Sequence, residues 1–306
     1  MKISKITLGT AQFGSKYGIS NKKGKPSIKS IYEMLDVCKK NGINSFDTAP
    51  SYGNSEKILG DYFKNRNSLT KSIFTTKISL PEINKITSND IIYKKIKGSV
   101  LSSINSLCVK KIEICLFHNS LHLMTNNDNV IKNLMKMKDE KLVKMIGISV
   151  YSPYEVKKFL ELDLFDVIQI PINIFDHRLI KSGLIDELKK SKTIVFGRSV
   201  YLQGLFFVDP YKIPYNFNMA KKYLLSLIDI SKKFKISIPQ IAFSFVRDFE
   251  QVNSMIIGCQ NPSQINRNLE YLKTPTLPNE IYEDIFKEFK NLPEKIINPS
   301  LWSKLT

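Results

Sequence analysis

The sequence predicts a single-domain (β/α)8 barrel of the TIM type, spanning residues 1–306. Three observations carry this expectation. Short, almost wholly apolar and β-branched runs recur along the chain, as parallel strands buried on both faces require. Amphipathic stretches with helical periodicity alternate with them throughout. The first run leads into LGTAQFG (8–14) and not into the GxGxxG with which an open doubly wound sheet usually binds phosphate, so a closed barrel is favoured.

The elements follow in order. Strand runs are expected at Ile6–Gly9, Asn44–Asp47, Ile73–Lys77, Ile112–Phe117, Met145–Ser149, Val167–Ile170, Ile194–Gly197 and Met255–Ile257. The helical patterns that follow them lie at Ile28–Asn41, Ser55–Lys64, Ile91–Leu107, Asn129–Lys141, Pro153–Leu160, Ser182–Lys190, Met219–Phe234 and Pro262–Leu272. The segment Phe207–Phe217, rich in Pro, Tyr and Phe, reads as a long loop on the barrel top. Pro239–Asp248 reads as an additional helix before the last strand, and a final helix near Glu280–Phe289 with the tail around Trp302 is expected to fold back over the barrel. No repeat, low-complexity tract or linker divides the chain, and its length suits one barrel of at least about 250 residues.

Composition excludes several classes. The net charge of +18 invites a nucleic-acid reading, but only five of the 46 basic residues are Arg: Arg66, Arg178, Arg198, Arg247 and Arg267. The lysines are spread along the whole chain, whereas base readout and phosphate recognition favour clustered Arg. No specific nucleic-acid partner is expected. No apolar run reaches the roughly 18 residues of a membrane span. The N-terminus MKISKITLGT lacks a signal-peptide apolar region, so a cytoplasmic location is expected. Cys38, Cys108, Cys115 and Cys259 form no CxxC pair and have no zinc-ligand spacing with the three histidines. They read as reduced thiols, and no metal is expected.

In such barrels chemistry sits where strands end. Strand two ends at Asp47, strand three at Lys77 and strand four meets His118, while Tyr52 lies in the loop five residues after Asp47. Taken singly, each has a structural explanation: a cap, a snorkelling chain, a packed aromatic or a hydrogen-bonded imidazole. Together, on successive strand ends, they make a proton-transfer site. A phenol near pKa 10 exchanges protons slowly at neutral pH, and a neighbouring ammonium lowers that value. Lys77 is therefore expected to tune Tyr52, Asp47 to hold Lys77, and His118 to orient a substrate carbonyl. A hydride source is missing, which a cofactor would provide.

The motifs LGTAQFG, FDTAPSYGNSEKILG (46–60), GISVYSP (147–153), IQIPINIFDHR (168–178), SVYLQGL (199–205) and IIGCQNPSQINRNL (256–269) resemble those of the aldo-keto reductase superfamily, over residues 8–269. The resemblance implies carbonyl reduction on a small-molecule aldehyde or ketone, sugar derivatives among the candidates, with NADP(H) favoured over NAD(H). It implies that Tyr52 is the general acid, with Asp47, Lys77 and His118 around it. Ser149 and Gln169 would bind the nicotinamide carboxamide, and Arg198 would stack on the ring where most members carry an aromatic residue. Gly258, Cys259, Gln264 and Asn268 match the segment that binds the adenosine phosphate. The chain departs from the pattern at Val150, where many members have Asn, and at Gly258 and Gln264, which replace the usual Lys and Arg. Arg267 is expected to point away, about 100° round the helix from Asn268. Alternatives are a cofactor-binding regulatory subunit with little turnover, or another barrel enzyme such as a lyase or sugar isomerase. Substrate choice lies in the loops Gly14–Lys25, Leu80–Asp90, Asn119–Asn127, where His122 lies, and Phe207–Phe217. The lysines of Gly14–Lys25 read as solvated.

Overall fold

Eight parallel strands close into a barrel in sequence order, β1 (Ile6–Gly9), β2 (Ser45–Asp47), β3 (Ile73–Ile78), β4 (Ile112–Phe117), β5 (Val143–Ser149), β6 (Val167–Pro171), β7 (Ile194–Arg198) and β8 (Ser254–Gly258), with β8 pairing back onto β1. The computed structural model describes residues 2–66, 69–80, 83, 86–120 and 128–304. The outer helices among them are α1 (Ile28–Lys40), α2 (Ser55–Lys64), α3 (Asn89–Leu107), α4 (Asp128–Asp139), α5 (Pro153–Leu162), α6 (Leu184–Lys190), α7 (Lys221–Phe234), α8 (Ile238–Arg247), α9 (Pro262–Tyr271) and α10 (Asn279–Glu288).

Helix starts follow local chemistry. Ser27 caps α1 by accepting from the Ser30 amide, and Ser152 and Glu155 form a reciprocal capping box before Pro153 of α5. Asn261 caps α9 ahead of Pro262. The pattern over Ser182–Lys190 is broken: Arg178–Lys181 forms a separate turn and Gly183, at φ 72°, reverses the chain before α6. The expected loop Phe207–Phe217 is entered through a 3-10 turn (Leu202–Phe207) and leaves through another (Tyr215–Ala220), so α7 begins two residues later than its pattern suggests. The tail returns as expected: Trp302 is buried against Phe217 at 5.0 Å and donates to the Lys295 carbonyl.

The apolar layer between strands and helices is continuous, and a second small cluster of Ile73, Ile114, Leu116, Val167 and Phe196 gathers alternate residues of four strands. Alternation then decides the site. Lys77 is four residues beyond Ile73, and His118, Gln169 and Arg198 are each two beyond Leu116, Val167 and Phe196. They share the inward face of their strands, one layer nearer the C-terminal mouth. Beneath Asp47 the layer is polar, with Thr7 Oγ1 at 2.8 Å from Ser45 Oγ and 2.7 Å from Ser254 Oγ.

Candidate active site

A cavity of about 640 Å³ opens at the C-terminal mouth, within the roughly 300–1,000 Å³ of small-molecule sites. Asp47, Tyr52, Lys77 and His118 line it, as do Ser149, Gln169, Arg198, Gly258, Gln264, Arg267 and Asn268.

The side chains of β2 and β3 form a closed ion pair. Lys77, 3% exposed, donates to both oxygens of Asp47 at 2.7 and 2.8 Å and to the Thr48 carbonyl at 3.0 Å. All three ammonium hydrogens are thus engaged. Gln169 donates to the same carboxylate at 2.5 Å. Its amide nitrogen is held by Asp47, which leaves the Gln169 carbonyl oxygen for a ligand.

Tyr52 ends a short 3-10 turn, Pro50–Tyr52, and Gly53 follows at φ 61°. Gly14, from the first strand's motif, fits beneath it: a Cβ there would lie 1.5 Å from the Tyr52 carbonyl oxygen. Thr10 Oγ1 binds the Asp47 carbonyl and Ser55 Oγ, at 2.9 and 2.6 Å, so the two motifs hold one loop between them. The ring of Tyr52 stands perpendicular to that of His118 at 5.9 Å, and Lys77 Nζ is 5.0 Å from its centroid.

The electrostatics correct one expectation. Burial, and then the Asp47 charge, push the Tyr52 phenol well above its ordinary range, with Arg198 acting the other way. Lys77 was expected to lower it, but its charge is matched by Asp47 at contact distance. The phenol therefore stays protonated at neutral pH. Burial, then Lys77, lower His118 to about 4, so its imidazole is neutral; Ser51 Oγ lies 3.4 Å from its Nδ1.

The opposite rim differs from the expected picture. Arg198 donates to the Val150 carbonyl at 2.6 Å and to Ser199 Oγ at 3.3 Å, and its guanidinium lies 4.2 Å from the Tyr151 ring. One planar partner is thus supplied by the protein itself. Asn268 accepts from the Tyr201 hydroxyl at 2.5 Å and faces Cys259 Sγ at 3.6 Å, so it is engaged within the chain. Cys259 is buried, which raises its thiol to about 12; all four cysteines are free. Gln264 accepts from the Gln260 amide at 2.7 Å. Arg267 was expected to point away, yet it is a cavity-lining residue: its long chain reaches the mouth from an exposed position on α9.

Sequence reasoning missed Gln12, Tyr17, Tyr151, Tyr201, Pro299 and Ser300, which also line the cavity. Gln12, Tyr151 and Tyr201 lie inside the motifs LGTAQFG, GISVYSP and SVYLQGL, and Tyr17 lies in the loop Gly14–Lys25; Pro299 and Ser300 lie in a tail without a motif. Ser120 donates to Glu155, the capping carboxylate of α5, an anchoring contact for its loop. His122 and the rest of 121–127 fall outside the described residues, as do 81, 82, 84 and 85 of the loop Leu80–Asp90. Among the described residues, no group of three His, Cys, Asp or Glu side chains can hold a metal, and no helix is long and apolar enough to cross a membrane.

The cavity does fit an extended organic cofactor. Gln12 Oε1 is buried and without a partner, and Gly258 at the end of β8 lines the cavity beside it, where an added Cβ would stand in ordinary contact with it at 3.8 Å. The closed parallel barrel thus carries a buried Lys–Asp pair, a Tyr and a neutral His at its mouth. Residues 5–287 match the model of the aldo/keto reductase family, and the chain belongs to that family.

Aldo-keto reductase YhdN of Bacillus subtilis is 25% identical over 330 residues, covering 100% of this chain and 96% of that protein. An NADH-specific methylglyoxal reductase of Escherichia coli is 25% identical over 260 residues, covering 76% and 79%. Among solved structures, the holo form of an aldo-keto reductase from Bacillus halodurans superposes with a TM-score of 0.74 at 19% identity, covering 94% of this chain and 92% of that one. A glycerol dehydrogenase from Gluconobacter oxydans does so with 0.70 at 21%, covering 95% and 94%.

Proposed function

We propose that this chain reduces an aldehyde or ketone to an alcohol with a nicotinamide cofactor, Tyr52 acting as the general acid. The observation that carries this reading is the meeting of Tyr52, His118 and the buried Lys77–Asp47 pair at the cavity mouth.

A bound nicotinamide supplies the hydride. Every other part falls to this chain. Tyr52 Oη gives its proton to the carbonyl oxygen as negative charge develops there. Neutral His118 hydrogen-bonds the same oxygen and fixes the carbonyl's direction. Lys77 stabilises the phenolate that remains, and Asp47 holds Lys77 charged and in place. Ser149 and the free carbonyl of Gln169 hold the carboxamide, while Gly258, Gln264 and Asn268 shape the adenosine end; Cys259, expected there, is buried behind Asn268 and does not line the cavity.

NADPH is the favoured form. Gln264 keeps an amide donor, and Arg267 supplies a cation for the 2′-phosphate where the family's usual pair is absent. The Escherichia coli relative is named NADH-specific, so the preference belongs to individual members.

The test is absorbance loss from NADPH and NADH over a panel of aldehydes and ketones, with fluorescence titration of both cofactors. Turnover with NADPH ahead of NADH is expected. Cofactor binding without turnover of any carbonyl compound would indicate the regulatory alternative, and no binding of either cofactor would overturn the oxidoreductase reading.

A further inference from the structure

The five arginines divide into two groups. Arg66, Arg178 and Arg247 each meet a carboxylate, Asp36 at 3.4 Å, Asp176 at 2.7 Å and Asp248 at 2.7 Å. For Arg198 and Arg267 no ion pair exists among the described residues, and both line the cavity. Arg267 has been placed at the cofactor's phosphate. Arg198 is on β7, and its charge acts on Tyr52, His118 and Tyr17, so it belongs to the reacting end.

The balance of charge and of donors there is one-sided. Asp47 and Lys77 cancel each other, His118 is neutral, and Arg198 leaves a single positive charge. Arg198 Nε is buried with no partner. The hydroxyls of Tyr17, Tyr52 and Tyr151 and the Arg198 fork are donors, while the one carboxylate is already taken by Lys77 and Gln169. An aromatic residue would stack on a planar ring equally well, without bringing a guanidinium that has no carboxylate partner to the cavity. The Tyr151 ring covers one guanidinium face at 4.2 Å, and the Val150 carbonyl and Ser199 Oγ each take one hydrogen of a terminal nitrogen, which fixes the fork and leaves one hydrogen on each of those nitrogens for a ligand. The loop carrying Tyr17, Gly18 and Ser20 to the cavity also carries the exposed Lys16, Lys22 and Lys23.

We propose that the carbonyl substrate carries an oxyanion, a carboxylate or a phosphate ester, a few atoms from the carbonyl, and that Arg198 is the residue that selects it. This rests on the carbonyl-reduction reading of the same site. The guanidinium fork binds two oxyanion oxygens at once, Tyr17 and Tyr151 add hydroxyl donors, and the lysines of the neighbouring loop draw the anion to the mouth.

Matched pairs test this on the intact enzyme: succinic semialdehyde against butanal, and glyceraldehyde 3-phosphate against glyceraldehyde. The charged member of one or both pairs should win by roughly 10- to 100-fold in kcat/KM, the scale of one charge-assisted contact. The pair that shows the advantage identifies the oxyanion. Arg198→Gln should collapse that ratio whatever it does to the absolute rates, Arg198→Lys should restore part of it, and raising salt should erode it in the wild type. On wild-type protein, malonate or inorganic phosphate should inhibit butanal reduction competitively, a readout that needs no folded variant. Equal kcat/KM within both pairs, or a ratio that survives Arg198→Gln while cofactor affinity drops, overturns the proposal and leaves Arg198 as a platform for the ring. No turnover of these four compounds while other aldehydes or ketones of the panel are reduced overturns this inference alone; absence of turnover across the whole panel, with cofactor bound, removes the reduction reading as well.

Discussion

The two sides of the cavity mouth are built differently. On the β2–β4 side every charge is closed off: Lys77 and Asp47 are each under 5% exposed and bound to one another, and Tyr52 rests on two motif glycines. On the β7–β8 side Arg198 and Arg267 keep uncompensated charge, and Ser199 and Gln203 hold left-handed backbone at φ 63° and 51° in the loop between them. The first side is the one proposed to move a proton, and the second is the one proposed to take in something anionic.

The largest effect is expected on the closed side. Tyr52→Phe keeps the ring and removes the proton, so reduction should fall by about 100- to 10,000-fold. Cofactor affinity, set on the other side, should hold nearly constant in a fluorescence titration. Retention of most turnover would show that another group supplies the proton.

Lys77→Met breaks the same side through its ion pair. Removing one partner of a buried pair costs about 3–5 kcal/mol, because Asp47 is left uncompensated. Loss of the ammonium should also push the Tyr52 phenol still higher, since Asp47 already raises it. The expected result is a lower urea midpoint, weak reduction and an upward-shifted apparent pKa. Adding Asp47→Asn should recover stability but not activity. A pH–rate profile unchanged in height and midpoint would remove Lys77 from the proton path.

The same division explains what the sequence revealed. Asp47, Lys77, His118 and Tyr52 could be placed from spacing alone because strand alternation points them inward and short connections leave little freedom. The eight strands were legible for a related reason: a strand buried on both faces must be apolar throughout. Arg198, Gln169 and Asn268 were legible as positions but not as contacts, and Arg267 was not legible as a site residue at all. Their side chains choose partners across the barrel: Arg198 reaches the Val150 carbonyl, Gln169 reaches Asp47, and Asn268 meets the Tyr201 hydroxyl. Nothing local in a sequence encodes such pairings. Pro299 and Ser300 could not be found, because a tail declares its docking place only through the packing of Trp302 against Phe217.

Histidine burial gives a third, smaller effect. His118 and His177 are both lowered to about 4 from an ordinary 6.5, with burial the first cause in each. The folded-state value lies below the unfolded one, so the unfolded chain takes up the proton first. Stability is therefore complete above about pH 6.5 and is lost as pH falls toward 4. From about pH 7 to pH 5 the fully buried His177 should contribute a loss of roughly 2 kcal/mol, with His118 giving somewhat less. His177 packs on Phe286, away from the cavity, so His177→Gln should flatten the slope of urea midpoint against pH without altering cofactor preference. An unchanged slope would mean that His177 is not the group being titrated.

The smallest expected effect falls on the open side. Arg267 is exposed, so water and salt screen its attraction for a 2′-phosphate, and a surface ion pair contributes only about 0–1 kcal/mol. A phosphate dianion held partly inside the cavity is screened less, which moves the figure toward about 1.4 kcal/mol, or roughly tenfold in affinity. The Gln264 amide adds a neutral donor with roughly 0.5–1.5 kcal/mol behind it. Arg267→Ala should therefore reduce the NADPH-over-NADH ratio by about tenfold without abolishing it, mainly through weaker NADPH binding. The loss should shrink as ionic strength rises, while Gln264→Ala should be insensitive to salt. Fluorescence titration of both cofactors at two salt concentrations decides. If Arg267→Ala leaves the ratio intact at low salt, a lysine from another loop holds the phosphate, and the open side has a cation that the arginines alone do not reveal.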